Sequence, residues 1–229
     1  MNQLGSSDAV FQTIEIAGRR IRLKVPADSE SRLNDLLDAG PGSIEVKDER
    51  LPYWAELWPS SVALAEEILC GPPIDADTDV LEIGCGLGLA GIAAGLRGAS
   101  VVLTDYLPEA VDAARLNWEE NIGTVPHVRQ MDWRVPDPDL AAHLILASDV
   151  AYEERAFSPL SNAFRRLLRP GGTILLAEPQ RRISRPFVDS LRETDFHCET
   201  ATREARVGDL RSMIDIHTMT HRRQPKKQG

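Results

Sequence analysis

Four residues in the run "VLEIGCGLGLAGIAAG", residues 80–95, stand at alternate positions: Glu82, Gly84, Gly86 and Gly88 spell E-x-G-x-G-x-G. The same run holds Gly86, Gly88 and Gly91 as G-x-G-x-x-G. An apolar stretch precedes the glycines and a helical pattern follows them, the strand–loop–helix setting such a motif requires. Glycine lets the backbone take positive φ and lets a ligand come close, and the start of the helix adds unpaired N–H groups. Two kinds of adenosine-bearing cofactor suit such a loop. A dinucleotide brings a pyrophosphate, which bare N–H groups favour and a carboxylate repels. S-adenosylmethionine brings no phosphate but a sulfonium and an α-ammonium. Glu82, two residues before the first glycine, fits that positive charge; its other reading is a cap on the helix start. Cys85 lies inside the loop and joins Gly84, Gly86 and Gly88 as cofactor wall.

Further acids follow at strand ends. Asp105 closes the next apolar run, 19 residues after Gly86, where a carboxylate accepts from ribose hydroxyls; a helix cap is its alternative. Tyr106 follows it. Asp132 and Trp133 sit past a third strand, placed to meet an adenine amino group and ring, with ordinary packing as the other reading of Trp133. Trp54 and Trp58, in "YWAELWPSS", precede the sheet and could close the methionine end of the pocket. Ser148-Asp149-Val150-Ala151-Tyr152 ends a fourth strand, and ligands of open α/β sheets bind outside the carboxyl ends of strands. Asp149 and Tyr152 therefore border the position of a reacting sulfonium. Displacement at sulfonium carbon needs an aligned nucleophile with a free lone pair. A lysine amine, with an ordinary pKa of about 10.4, must arrive or become neutral. Asp149 would orient that amine and Tyr152 shape the entrance.

The elements that position these residues are legible as periodicities. "FQTIEIAGRRIRLKVP" alternates with period two around Ala17-Gly18, a hairpin. "SESRLNDLLDAGPG" reads as a short helix stopped by Gly40-Pro41-Gly42. "PSSVALAEEIL" is a helix opened by Pro59. From Asp79, "DVLEIG", "SVVLTD", "PHVRQMDW", "HLILASD" and "TILLAEP" read as strands. Helices alternate with them, including "LPEAVDAARLNWEEN" and "ERAFSPLSNAFRRLLRPGG", the latter carrying Leu167 and Leu168. This predicts a parallel sheet covered on both faces. After a helix at 185–194, "FHCETAT" and "LRSMIDIHTMT" have no helix between them, so an antiparallel final strand is expected. His127, His143 and His197 fall in strand patterns and are expected to pack. Arg181, Arg182 and Arg185 read as a solvated basic face. "HRRQPKKQG" is a polar basic tail, expected to be disordered.

The chain has 229 residues, room for one domain with a substantial core. A net charge of −9 argues against gripping nucleic acid by its phosphates. No apolar run approaches the ~20 residues of a membrane helix, and the N-terminus shows no secretory signal. Three widely spaced cysteines, Cys70, Cys85 and Cys198, form no C-x-x-C pair, so neither a disulfide framework nor a metal site is indicated. A cytoplasmic monomer is the expectation, with no nucleic-acid or membrane partner.

"LWPSSVALAEEIL", "VLEIGCGLGLAGIAA", "LTDY", "LNWEEN", "MDWR" and "SDVAY" stand in one order over residues 53–178. In this the chain resembles the seven-β-strand methyltransferases of family 16, which include many protein-lysine methyltransferases. Asp149–Tyr152 match that group's D-x-x-Y element. "AEPQR", Glu178–Arg182, more loosely resembles the strand exit of the electron-transfer-flavoprotein β-subunit lysine methyltransferases. The resemblance implies an α/β, Rossmann-like class I methyltransferase fold with strand order 3-2-1-4-5-7-6 and strand 7 antiparallel. Residues 51–220 are expected to form the methyltransferase domain, behind a 1–50 hairpin-and-helix extension of which the resemblance covers little, with 221–229 as tail. The resemblance places Trp58, Glu82, Gly84, Gly86, Asp105, Asp132 and Trp133 on the cofactor side. It further implies S-adenosylmethionine as methyl donor, S-adenosylhomocysteine as product, and a lysine-bearing protein as acceptor. The N-P-P-Y of amide and adenine methylation is missing. Open alternatives are a small-molecule amine or heteroaromatic N-methyltransferase, a non-catalytic cofactor-binding module, and an NAD-linked oxidoreductase. The last is disfavoured by Glu82 and by the lack of a second substrate domain.

Overall fold

A computed structural model describes residues 9–27, 52–72, 74 and 76–222. The helix expected within residues 29–42 and the tail beyond residue 222 lie outside them.

The N-terminal alternation forms a hairpin of β1 (Ala9–Ile16) and β2 (Arg19–Pro26). Its turn places Ala17 and Gly18 at positive φ, 51° and 73°, the geometry that two-residue hairpin loops favour. The inward residues Ile16, Ile21, Leu23 and Val25 are buried. Then come α1 (Pro59–Cys70), β3 (Asp79–Ile83), α2 (Leu89–Leu96), β4 (Ser100–Asp105), α3 (Pro108–Ile122), β5 (His127–Gln130) and β6 (Ala142–Ser148). α4 (Glu154–Leu167), β7 (Leu168–Pro179), α5 (Arg185–Thr194), β8 (Phe196–Val207) and β9 (Leu210–His221) follow among the described residues.

Seven strands form one sheet in the order β5-β4-β3-β6-β7-β9-β8. Counted from β3, this is the expected 3-2-1-4-5-7-6. The first five strands run parallel, and β9 lies antiparallel to both β7 and β8. The chain turns directly from β8 into β9 at Gly208, whose φ is +57°, so no crossover is available to make this pair parallel. The order reverses between β3 and β6, and a crevice opens there above the carboxyl ends of the strands.

Alternation along β3 divides its side chains between the two faces. Val80 joins the core shared with α1, α2 and the hairpin, while Leu81 and Ile83 join the core under α4 and α5. The hairpin is fastened to α3 by two asparagines one helical turn apart. Asn117 Oδ1 accepts from Lys24 N at 2.6 Å and Asn121 Oδ1 from Arg22 N at 2.9 Å, while their amide nitrogens donate back to the carbonyls of Lys24 and Arg22. Asn117, fully buried, also donates to Leu87 O at 3.0 Å. The extension is thereby tied to the glycine loop.

Two sequence expectations are corrected. Leu168 ends α4 in an extended conformation and begins β7 rather than continuing the helix. Pro170 disfavours helical geometry in the residue before it, and the register slips between Ala142 and Leu144 to absorb the irregular start. His127, His143 and His197 are exposed rather than packed. His127 and His197 lie on the two edge strands, and His143 Nδ1 meets Asp79 at 2.5 Å.

Candidate functional site

The crevice at the strand-order reversal is an open cleft at the carboxyl ends of the strands, where open α/β sheets bind their ligands. Trp58, Gly84, Cys85, Gly86, Asp105, Tyr106, Asp132, Trp133, Ser148, Asp149 and Tyr152 all line it. The parallel strands β3, β4, β5 and β6 end on this rim, which is why acids distant in sequence converge.

The glycine loop forms the floor. Gly84 and Gly86 have φ of +66° and +50°. A side chain at Gly84 would press on Val150 Cγ1 at 3.0 Å and Trp133 Cζ3 at 3.2 Å, and one at Gly86 would meet Trp54 O at 3.2 Å. Glycine is required at both positions by conformation and by space. Asp105 braces the loop: Oδ2 accepts from Gly86 N at 3.0 Å and Oδ1 from Leu107 N at 3.1 Å. Burial raises its pKa, partly offset by those backbone bonds.

Glu82 and Gly88 do not line the cleft. Glu82 shares its strand face with Val80, so its side chain points into the layer between sheet and α2. There, 1% exposed, its Oε2 accepts from Gly91 N at 2.9 Å, in the first turn of α2. Direct contact between Glu82 and a ligand cation is therefore corrected to a hold on the helix that carries the loop. Burial is the main cause pushing its pKa up to about 8; Gly91 opposes the shift and the charge of Asp105 adds to it. Gly88 caps α2 in the left-handed region at φ 81°. A Cβ there would meet Ala114 of α3 at 3.2 Å, so it serves helix packing.

The second wall is aromatic. Residues 52–55 form a 3₁₀ turn that carries Tyr53 and Trp54. Tyr53 stands edge-on to Trp58 and to Tyr152, with centroids 6.4 and 5.9 Å away. Trp58 Nε1 donates to Tyr53 O at 2.8 Å, which fixes the indole. At the far end Arg134 Nε donates to both oxygens of Asp132, each at 2.9 Å, and its guanidinium lies over Tyr106.

Asp149 stands where the fourth parallel strand leaves the sheet. It is a non-glycine residue at φ 56°, a conformation aspartate tolerates better than most, and its N–H donates to Ala177 O at 2.9 Å. Its carboxylate receives Arg181 through a two-point contact, Nη1 to Oδ1 at 2.5 Å and Nη2 to Oδ2 at 3.2 Å. The Ser60 hydroxyl is 3.5 Å from Oδ2. Burial raises the pKa of Asp149 while Arg181 opposes it. Arg181 thus belongs to the site rather than to the solvated basic face expected for it; the contact spans 32 residues and leaves no local signal. Glu178, also missed, holds the turn from below. Its Oε1 accepts from Val150 N at 2.9 Å and Ala151 N at 3.0 Å. The sequence signal was its place in "AEPQR", at the end of a buried strand. Tyr53, Glu56, Ser61, Leu87, Leu89, Leu107 and Arg134 complete the lining beyond the expected set.

The donor set discriminates between ligands. Among the described residues four carboxylates line the cleft, Glu56, Asp105, Asp132 and Asp149, against one guanidinium, Arg134, already paired with Asp132. A pyrophosphate needs free N–H groups at the glycine loop, and Asp105 takes the one at Gly86. The cleft fits a nucleoside bearing positive charge.

Residues 48–194 match a protein-family model described as lysine methyltransferase. The chain is 37% identical over 133 residues to the electron transfer flavoprotein beta subunit lysine methyltransferase of Danio rerio, covering 57% of this chain and 51% of that one. It is 30% identical over 179 residues to EEF1A lysine methyltransferase 3 of Mus musculus, covering 76% and 75%. The chain spans about half the length of the flavoprotein methyltransferases it matches. Among solved structures, magnesium protoporphyrin IX methyltransferase from Synechocystis, which holds bound S-adenosylmethionine, aligns with a TM-score of 0.56. That match has 19% identity and covers 84% of this chain and 90% of that one. At that identity it establishes the fold.

Proposed function

This chain belongs to the lysine methyltransferase family, and on that premise we propose that it transfers a methyl group from S-adenosylmethionine to a lysine side chain of a protein. One observation carries the choice of cofactor: among the described residues carboxylates dominate the cleft, and one of them, Asp105, holds the Gly86 N–H that a pyrophosphate would use. When bound, S-adenosylmethionine supplies a methyl group on positively charged sulfur, and the acceptor nitrogen forms its N–C bond as the C–S bond breaks with its electron pair to sulfur.

This chain's residues bind, orient and exclude water. Asp105, whose two oxygens already fix the loop through Gly86 and Leu107, uses its remaining lone pairs for the ribose hydroxyls. Asp132 and Trp133 take the adenine edge and face. The narrow floor at Gly84 and Gly86 brings backbone against the ligand. Tyr53, Trp58 and Tyr152 wall the reacting end and keep water from it. Asp149 accepts a hydrogen bond from the acceptor amine and so points its lone pair. The proton that frees that lone pair leaves to solvent through the open mouth, since Asp149 stabilises an ammonium rather than stripping it.

The acceptors named for the two relatives, the electron transfer flavoprotein beta subunit and EEF1A, are the first proteins to assay. The three free cysteines fit a reducing compartment, and we assign the protein to the cytoplasm. Among the described residues no helix is long and apolar enough to cross a membrane. The test is incubation with cell lysate and methyl-labelled S-adenosylmethionine, followed by mass spectrometry. Methyl-lysine on a discrete protein supports the reading; label confined to small molecules contradicts it.

A further inference from the structure

A second recess meets the cleft at Trp58 and Asp149, which line both. Its other walls are Pro59 and Ser60 of α1, the β7 exit with Gln180 and Arg181, and the start of β9, Leu210 to Ile214, where Arg211 is paired with Glu204 at 3.8 Å. Between the recess and the cleft stands the Arg181–Asp149 pair, and its two members are held very differently. Asp149 has a side chain 9% exposed, a main chain bonded to Ala177, and a turn fixed by Glu178. Arg181 has a side chain 39% exposed, and among the described residues its guanidinium bonds to Asp149 alone. The carboxylate is a fixed feature of the fold, whereas the guanidinium can leave it for water.

We infer that this recess is the acceptor entrance, that it takes an alkyl amine entering as a cation, and that Arg181 holds that cation's place at Asp149 until the acceptor displaces it. The inference rests on the methyl-transfer reading above. A buried carboxylate stripped of its only cation is strongly destabilised. Exchanging one cation for another avoids that state, so the carboxylate is never left bare. Leaving costs Arg181 little, because its charge moves toward solvent. The rim of the recess suits the stem of such an amine: Leu210 is 54% exposed and Met213 45% exposed, and a four-carbon chain covers apolar surface while its charged end seeks a partner. Arg181 then sets specificity: a neutral acceptor cannot replace it at Asp149.

The test needs no knowledge of the natural acceptor. The probe is an analogue of S-adenosylhomocysteine in which nitrogen replaces sulfur and carries a short aminoalkyl arm; S-adenosylhomocysteine is the armless reference. Affinities are measured by calorimetry for the full chain and for Arg181→Met. The armless compound is expected to bind both alike, and the armed one to bind Arg181→Met roughly tenfold more tightly than the original chain, because its internal competitor is gone. Adding Asp149→Asn should abolish the gain. Equal or weaker binding of the armed compound to Arg181→Met overturns the inference while leaving the cofactor reading intact. Failure of S-adenosylhomocysteine to bind the original chain overturns the cofactor reading itself. If Arg181→Met loses its fold, seen as lost binding of the armless compound and a lowered Tm, Arg181→Lys decides. It keeps a cation but not the two-point grip, so a smaller gain supports displacement and no gain refutes it.

Discussion

Glu178, at the end of β7, holds a turn that lies 28 residues before it: its Oε1 accepts the N–H of Val150 at 2.9 Å, and that of Ala151 at 3.0 Å. Asp149 is therefore placed by a carboxylate that does not itself line the cleft. Replacing Glu178 with alanine leaves two buried N–H groups without acceptors. A loss of about 2–4 kcal/mol is expected, together with most of the turnover, while S-adenosylhomocysteine still binds. Glu178→Gln keeps an acceptor oxygen and should retain much of both. Urea unfolding beside a turnover assay checks this; Glu178→Ala with unchanged stability would refute it.

Burial pushes both Glu82 and Glu178 up to about 8, from an ordinary value of 4.5. Between those values the folded protein holds protons that the unfolded chain has released, so stability must fall as pH rises through that window. The decline levels off above about pH 8. Its slope is at most about 1.4 kcal/mol per pH unit for each group. Thermal melts of the ligand-free protein from pH 5 to pH 9 should show a falling Tm, flatter in Glu178→Gln. A Tm that rises with pH would contradict the burial of these acids.

The placement of Glu82 makes Gly91 intolerant of a side chain. A Cβ there would lie 2.6 Å from Glu82 Oε2 and against Leu103. Gly91→Ala, although favourable for helix propensity, is expected to cost about 1–3 kcal/mol by overpacking and to weaken S-adenosylhomocysteine binding by disturbing the loop. Calorimetry and denaturation measure both. A stabilised Gly91→Ala would show that Glu82 does not lie under this helix.

Much of the fold was legible because it rests on local periodicity. The five parallel strands, the helix openings at Pro59 and Pro108, and the return of β9 without a crossover followed from period and punctuation alone. The cleft was legible where strands end in acids, as at Asp105, Asp132 and Asp149. Glu82 was harder. Its spacing to the glycines suggested a ligand contact, but its parity with Val80 turns it toward α2. Counting alternation along β3 would have found this. Arg181 and Glu178 act on Asp149 through contacts of 32 residues and on its turn through 28, and no local pattern encodes such pairs. The exposure of His127 and His197 follows from edge positions that only the assembled sheet defines.

Asn117 joins the hairpin to the glycine loop, bonding to Lys24 and to Leu87 O from a fully buried position. Asn117→Ala is expected to cost about 2–4 kcal/mol. It should also speed amide exchange in residues 19–26 ahead of the main sheet. Exchange that stays uniform would mean that the hairpin is held by its apolar face alone.

The most direct measurement is calorimetric titration of the purified chain with S-adenosylhomocysteine and, separately, with NAD. Asp105 occupies the Gly86 N–H that a diphosphate would use, and the cleft is lined with carboxylates. One equivalent of S-adenosylhomocysteine should therefore bind, and NAD should give no heat of binding. Saturable binding of NAD, with no binding of S-adenosylhomocysteine, would contradict it.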